Sequence, residues 1–171
     1  MPASGQLDDL KNAMNAPVSI ATLRMEDLVA QISSGDISPG AGSAGAVALA
    51  LAAACASKAV SVSLKHRPNE LELQSALASF AQIAHLALND ADRDSAAFEK
   101  FIRERNSAAV DRLICEGENL GHLIAALATA IDEIEARIRP NMTGDVVAAK
   151  ALIDAARCIQ ERNEAEALQV G

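Results

Sequence analysis

The sequence predicts an all-α protein, a helical bundle of about five main helices that pairs as a dimer. Three observations carry this. Roughly a fifth of the chain is Ala, the strongest helix former. Aromatic residues make up only 2%, three Phe with no Trp and no Tyr, whereas strands draw on aromatics together with Val, Ile and Thr. Apolar residues also recur at spacings of three and four over long stretches, the period of a helix face, and no strand run is seen. The chain has 171 residues, of which 50% are apolar and 22% charged. That is the size and composition of one domain with a buried core. We divide it into a loosely ordered segment, 1–20, and a single helical domain, 21–171, with no internal repeat or linker.

Within the first segment a short helix at Leu7 to Met14 is the most that the pattern supports. A helix over Met25 to Ile32 follows, with Leu28, Val29 and Ile32 as its apolar face. Ser33-Ser34-Gly35 ends it, since Gly tolerates the left-handed terminal conformation. Asp36 to Gly42 reads as a loop, and Ser43 as the N-cap of an Ala-rich helix running to about Lys65. Pro68 breaks that helix, and Asn69 with Glu72 resembles a capping box. The next helix spans Glu70 to about Arg105. Leu73, Leu77, Phe80, Ile83, Ala84, Ala87, Ala91, Phe98 and Phe101 line one of its faces. Ser107 caps a further helix reaching Ile138. Its Leu120, Ile124, Leu127, Ile131, Ile134 and Ile138 form a seam that faces another helix. Pro140 stops it, and Thr143 or Asp145 starts a last helix to about Leu168. The seam, and the small-residue helix from Ala44, offer more apolar face than one copy buries, hence the expected dimer.

Several classes are excluded or disfavoured. The net charge is −8 and no dense Lys/Arg run exists, which argues against nucleic-acid binding. Cys55, Cys115 and Cys158 are isolated, so a disulfide framework is not expected and a reducing, cytoplasmic interior is. The acidic N-terminus lacks the apolar stretch of a secretory signal. Ile37 to Ser57 is uncharged and long enough to span a bilayer. It opens on loop residues and continues mostly in Ala, Gly and Ser, so we read it as a centrally buried helix rather than a membrane span.

Chemistry concentrates at Asn89-Asp90-Ala91-Asp92-Arg93-Asp94. On a helical wheel Asp94 falls near the middle of the apolar stripe, between Ala87, Ala91, Phe98 and Phe101, with Asp90 at its edge. A carboxylate there has three fates. Burial and the like charge of Asp90 raise its pKa, as acid–base catalysis needs; a buried basic partner holds it ionised; or the helix breaks near Asn89 and the Asp is a cap. Ser38-Pro39-Gly40-Ala41-Gly42-Ser43 precedes a helix N-terminus, where backbone N–H groups attract anions, although a simple capped loop is the reading these residues favour. Lys65-His66-Arg67 either complements a helix C-terminus or docks an acidic ligand. His85 and His122 stand alone, so no metal site is expected.

In order, these features resemble the cyclodeaminase/cyclohydrolase family. The family turn, Pro-Gly-Gly-Gly and a small residue, is matched by Pro39-Gly40-Ala41-Gly42-Ser43. Its Asp-x-x-Ala-Phe motif is matched by Asp94-Ser95-Ala96-Ala97-Phe98. A later Asn and Ser-Asp segment is similar to Asn141-Met142-Thr143-Gly144-Asp145. The resemblance spans about Met25 to Asn163. It implies an all-helical homodimer that handles folate one-carbon units with no permanently bound cofactor and no metal. Asp94 takes the catalytic position. Pro39, Gly40, Gly42 and Ser43 line the folate pocket, with Asp145 in the third motif, and Lys65, His66 and Arg67 meet the acidic folate tail. Two departures stand out. Ala41 adds a Cβ and loses access to positive φ, and the stretch between Phe98 and Gly121 is shortened. The leading reading is methenyl-tetrahydrofolate hydrolysis or formimino-tetrahydrofolate cyclodeamination. The second, suggested by the departures, is a helical dimer that binds a small molecule or a protein without catalysis.

Overall fold

A computed structural model describes residues 18–170. Five α-helices run through them: α1 (Met25–Ile32), α2 (Ala41–Leu64), α3 (Leu71–Glu104), α4 (Ser107–Ile134) and α5 (Thr143–Val170). Short 3-10 turns occupy Ile20–Thr22, Glu135–Arg137 and Pro140–Met142, and there is no strand among the described residues. The all-α expectation holds. The helix expected at Leu7 to Met14 lies outside the described residues.

The connections 65–70, 105–106 and 135–142 are short, so successive long helices run antiparallel. α2 packs between α3 and α5, and α4 closes the ring against α3 and α5. Small residues set this arrangement. Ala46, Ala53, Ala56 and Ala59 of α2 are buried. A Cβ on Gly45 would approach Ile159 Cγ2 to 3.2 Å, closer than a packed methyl normally sits. α2 is long and apolar enough to cross a membrane, yet its Leu49 and Val60 are fully enclosed by the neighbouring helices, as the central-helix reading requires. The α4 seam is also confirmed: Leu120, Ile124, Leu127, Ile131 and Ile134 are all buried. α4 stops at Ile134 rather than Ile138, and Ile138 packs against the core from the connection that follows.

The helix ends differ from the sequence expectation, each for a local reason. Asn106, not Ser107, caps α4; its side-chain Oδ1 accepts from Ala109 N at 2.9 Å. Arg105 just before it takes φ 46°, a left-handed turn that reverses the chain between α3 and α4 at about 1–2 kcal/mol for a non-glycine. The Asn69–Glu72 capping box does not form. Glu70 occupies the N-cap without a side-chain bond, and Gln74 Nε2 donates to Pro68 O at 2.6 Å instead. α1 ends at Ser33 in a right-handed conformation, and Gly35 has no positive φ. Only Leu28 of α1 is buried; Val29 and Ile32 of the expected apolar face are exposed. The 3-10 turn before α1 is tied to α3, because Asp92 accepts from Ser19 Oγ and from Ile20 N, both at 2.6 Å.

Candidate active site

The antiparallel order gathers the start of α2, the last third of α3, the first half of α4 and the end of α5 at one end of the bundle. A cavity of about 310 Å³ opens there, at the lower edge of the size of small-molecule sites. Asp94 stands in its wall. The 3.6 period of α3 brings it inward one turn after Ala91, a residue with no exposed surface, and the helix continues unbroken through Asn89 to Glu104. That disposes of the reading in which Asp90 or Asp94 merely caps a segment.

Two features of the α2 turn seat the carboxyl group. A Cβ on Gly42 would lie 2.5 Å from Asp94 Cγ, so the carboxyl group occupies the space a side chain at 42 would fill. Ser43, expected as the N-cap, is instead in the first turn of α2, whose N-cap is Gly40. Ser43 is completely buried, and its Oγ lies 3.1 Å from Asp94 Oδ2 and 3.1 Å from the Ala91 carbonyl. It is also 3.1 Å from Ser95 Oγ, which accepts from Ser38 Oγ at 2.7 Å. One assignment lets every hydroxyl donate once, from Ser38 to Ser95 to Ser43 to Asp94. The helix hydroxyl was more valuable across the α2–α3 contact than as a cap, because α2 begins against α3 rather than in solvent.

Burial pushes the Asp94 carboxyl above its ordinary 3.8, the hydrogen bonding from Ser43 pulls it back, and the charges of Glu116 and Asp90 push it up again. Asp90 is raised as well, first by burial; Arg93 opposes this and Glu116 adds to it. Arg93 pairs with Asp90 and its Nε lies 3.5 Å from Glu116 Oε2, while Arg112 Nη2 lies 2.5 Å from Glu116 Oε1. The basic partners thus belong to Asp90 and Glu116. Asp94 has none among the described residues, which leaves the raised-pKa reading of the three.

The structure brings Asp94, Gly40, Gly42 and Ser43 together. Pro39 follows a cis peptide bond and leads into the turn. Ala41 is the first residue of α2 with its side chain exposed, and no glycine has positive φ. The access to positive φ that Ala41 gives up is not needed: an ordinary helical start requires no glycine at that position. Lys65, His66 and Arg67 are not brought to the cavity. α2 has 24 residues, so they lie about 36 Å away at its other end. There Arg67 pairs with Glu70 at 3.0 Å and donates to the Arg137 carbonyl. Asp145 is likewise distant, at the start of α5, paired with Lys58 at 3.2 Å. None of these four residues lines the cavity that holds Asp94.

Sequence reasoning missed Glu116 and placed Asp90 only at the stripe's edge, yet both line the cavity at 5% and 3% exposure. Glu116 had a signal: continuing the α4 seam back four residues from Leu120 lands on it. Gln160, Asn163 and Glu164 of α5 also line the cavity, and nothing in their local sequence marks them.

The sequence profile of the formiminotransferase-cyclodeaminase family matches residues 24–111, which include the α2 turn and Asp94. No curated protein matches the chain in sequence. The crystal structure of formiminotetrahydrofolate cyclodeaminase from Thermotoga maritima is similar in fold, with a TM-score of 0.83 and 19% identity over 88% of this chain and 80% of that one.

Proposed function

Because the chain belongs to the formiminotransferase-cyclodeaminase family, we propose that it transforms a folate-bound one-carbon unit at the α2–α3 cavity, with Asp94 as the acid–base group. The reaction is hydrolysis of methenyl-tetrahydrofolate or cyclodeamination of formimino-tetrahydrofolate. One observation carries the reading: a carboxyl group with raised pKa and no basic partner among the described residues is held in a cavity wall by Gly42 and Ser43. Both reactions move protons at one carbon flanked by two nitrogens. In hydrolysis, Asp94 accepts a proton from water as the C–O bond forms and returns it to the folate nitrogen as the C–N bond breaks, while the added hydroxyl releases its remaining proton to solvent as the formyl C=O forms. In cyclodeamination a folate N–H nitrogen attacks the formimino carbon, and Asp94 takes the proton from that nitrogen and passes it to the departing ammonia. A carboxyl shifted toward neutrality serves as both acceptor and donor. The hydroxyl chain from Ser38 orients it.

The reading includes a cytoplasmic homodimer. Support comes from the outer face of α2, where Val47 and Ala48 are half-buried and Leu51 and Ala54 exposed, with Lys58 as its one charge, and from three free cysteines. The test of the reading is direct. Purified protein is mixed with methenyl-tetrahydrofolate and with formimino-tetrahydrofolate, and the change in absorbance and the release of ammonia are followed. Turnover of one of the two above the uncatalysed rate is expected. Saturable binding without turnover of either would select the non-catalytic module and overturn the proposal.

A further inference from the structure

Three serines lead from Asp94 toward the surface. Ser43 Oγ lies 3.1 Å from Asp94 Oδ2 and 3.1 Å from Ser95 Oγ, and Ser38 Oγ donates to Ser95 Oγ at 2.7 Å. They come from three places in the chain, the loop before α2, the first turn of α2 and the last third of α3, so no local rule brings them together. Ser43 has no exposed surface, whereas Ser38 and Ser95 are half-buried, and Ile37 beside Ser38 is 54% exposed. Among the described residues Ser43 is the one residue hydrogen-bonded to the Asp94 side chain. Beyond seating the carboxyl group, the chain of hydroxyls therefore connects it to the edge of the molecule. A hydroxyl both donates and accepts, and its hydrogen turns to suit its neighbours. Three of them in contact form a path that a proton can follow in either direction.

We propose that Ser43, Ser95 and Ser38 form a proton relay that joins Asp94 to solvent while a ligand fills the cavity. This inference rests on the folate reading, which supplies the ligand, and deepens it. Each of the two reactions exchanges one proton with solvent. Hydrolysis turns a methenyl cation and water into a neutral formyl group and one proton. Cyclodeamination turns a neutral formimino group and one proton into the methenyl cation and ammonia. Asp94 carries one proton at a time, and a bound ligand covers the side of it that faces the cavity. In hydrolysis the added hydroxyl gives up its proton after Asp94 has passed its first one to the folate nitrogen. Asp94 takes this second proton and hands it from Oδ2 to Ser43, as Ser43 donates to Ser95, Ser95 to Ser38 and Ser38 to water. At each serine one O–H bond forms and one breaks, so all three end as neutral hydroxyls and Asp94 as a carboxylate. In cyclodeamination the same steps run inward, from water to Asp94 Oδ2. The neighbouring acids offer no such route: Asp90 and Glu116 are held by Arg93 and Arg112, and neither shares a hydrogen bond with Asp94.

Ser95→Cys tests this by breaking the relay at its centre. Ser95 does not line the cavity, the sulfur fills the space of the hydroxyl but donates and accepts weakly, and Ser43 keeps its bond to Asp94. The intact protein is assayed with whichever folate the wild type turns over, and Ser95→Ala serves if the larger sulfur prevents folding. A fall in kcat of at least about tenfold is expected, with KM and the melting curve unchanged. The rate is also followed in mixtures of light and heavy water. Protons moving together along several hydroxyls give the wild type a bowed decline of kcat with deuterium fraction, and the variant a straight one. A merely structural defect lowers kcat and keeps the bow. Wild-type kcat in a folded variant, a lowered kcat with the bow retained, or a straight decline in the wild type would each overturn the inference and leave the proposed function standing. A wild type that turns over neither folate overturns both.

Discussion

Replacing Gly42 by Ala tests how the Asp94 carboxyl, the proposed acid–base group, is seated. The new methyl carbon would lie 2.5 Å from Asp94 Cγ, well inside contact distance, so one of the two must move. α2 cannot shift easily, because Gly42 and Ser43 are both buried against α3. The carboxyl group is the end of a short side chain and rotates away, losing its bond to Ser43. Overpacking costs about 1–3 kcal/mol, and Ala in place of helical Gly returns about 1 kcal/mol. The net loss is therefore at most about 2 kcal/mol, or a fall in Tm of no more than about 8 °C for a domain of this size. Activity responds far more strongly, since displacing a catalytic group by about 1 Å costs about 100-fold in kcat. Gly35→Ala is the control. Nothing lies within 4 Å of a Cβ there, its φ is not positive and it does not line the cavity, so kcat and Tm stay near wild type. The assay is loss of methenyl or formimino substrate at saturation, paired with a thermal melt. A G42A protein with wild-type kcat, or a G35A protein equally impaired, would refute the reasoning.

Two further outcomes follow from the buried acids and the outer face of α2. Asp94 is raised above 3.8, so between that value and its raised pKa the folded chain binds a proton that the unfolded chain releases, and stability falls as pH climbs. Asp94→Asn removes this slope. The stability of wild type minus that of D94N, from urea unfolding between about pH 4 and about pH 7, declines with rising pH and then levels; a difference that grows with pH contradicts the raised carboxyl. Leu51→Glu places a charge at a side chain already 44% exposed, so the monomer fold changes by no more than about 0.5 kcal/mol. Light scattering should show a dimer for wild type and a monomer for this variant, and a dimer that survives the change puts the interface elsewhere.

Long-range periodicity was legible in the sequence because it is written in the spacing of large apolar residues. The α4 seam from Leu120 to Ile134 and the inward phase of Asp94 both follow from it. Caps were not, because Ser43, Asn69 and Ser107 compete with neighbours for the same role. Ser43 could bond Asp94 across a helix contact that no local rule anticipates. The cavity was half legible. Its α2 and α3 walls carry motifs, whereas Gln160, Asn163 and Glu164 join it only because α5 returns antiparallel beside α2. Lys65, His66 and Arg67 lie apart from this cavity, because a continuous helix of 24 residues carries them to the far end of the bundle. Asp90 was underrated because a single-helix wheel does not show that α4 covers its edge with Glu116.

The account stands on Asp94 as the proton carrier, and the kcat of Asp94→Asn for whichever of the two folate substrates the wild type turns over tests this most directly. Asn preserves size and hydrogen bonding to Ser43 but cannot move a proton. A fall in kcat of about 10²- to 10⁴-fold, with KM and the melting curve little changed, is predicted. Wild-type kcat in a folded D94N protein would contradict it.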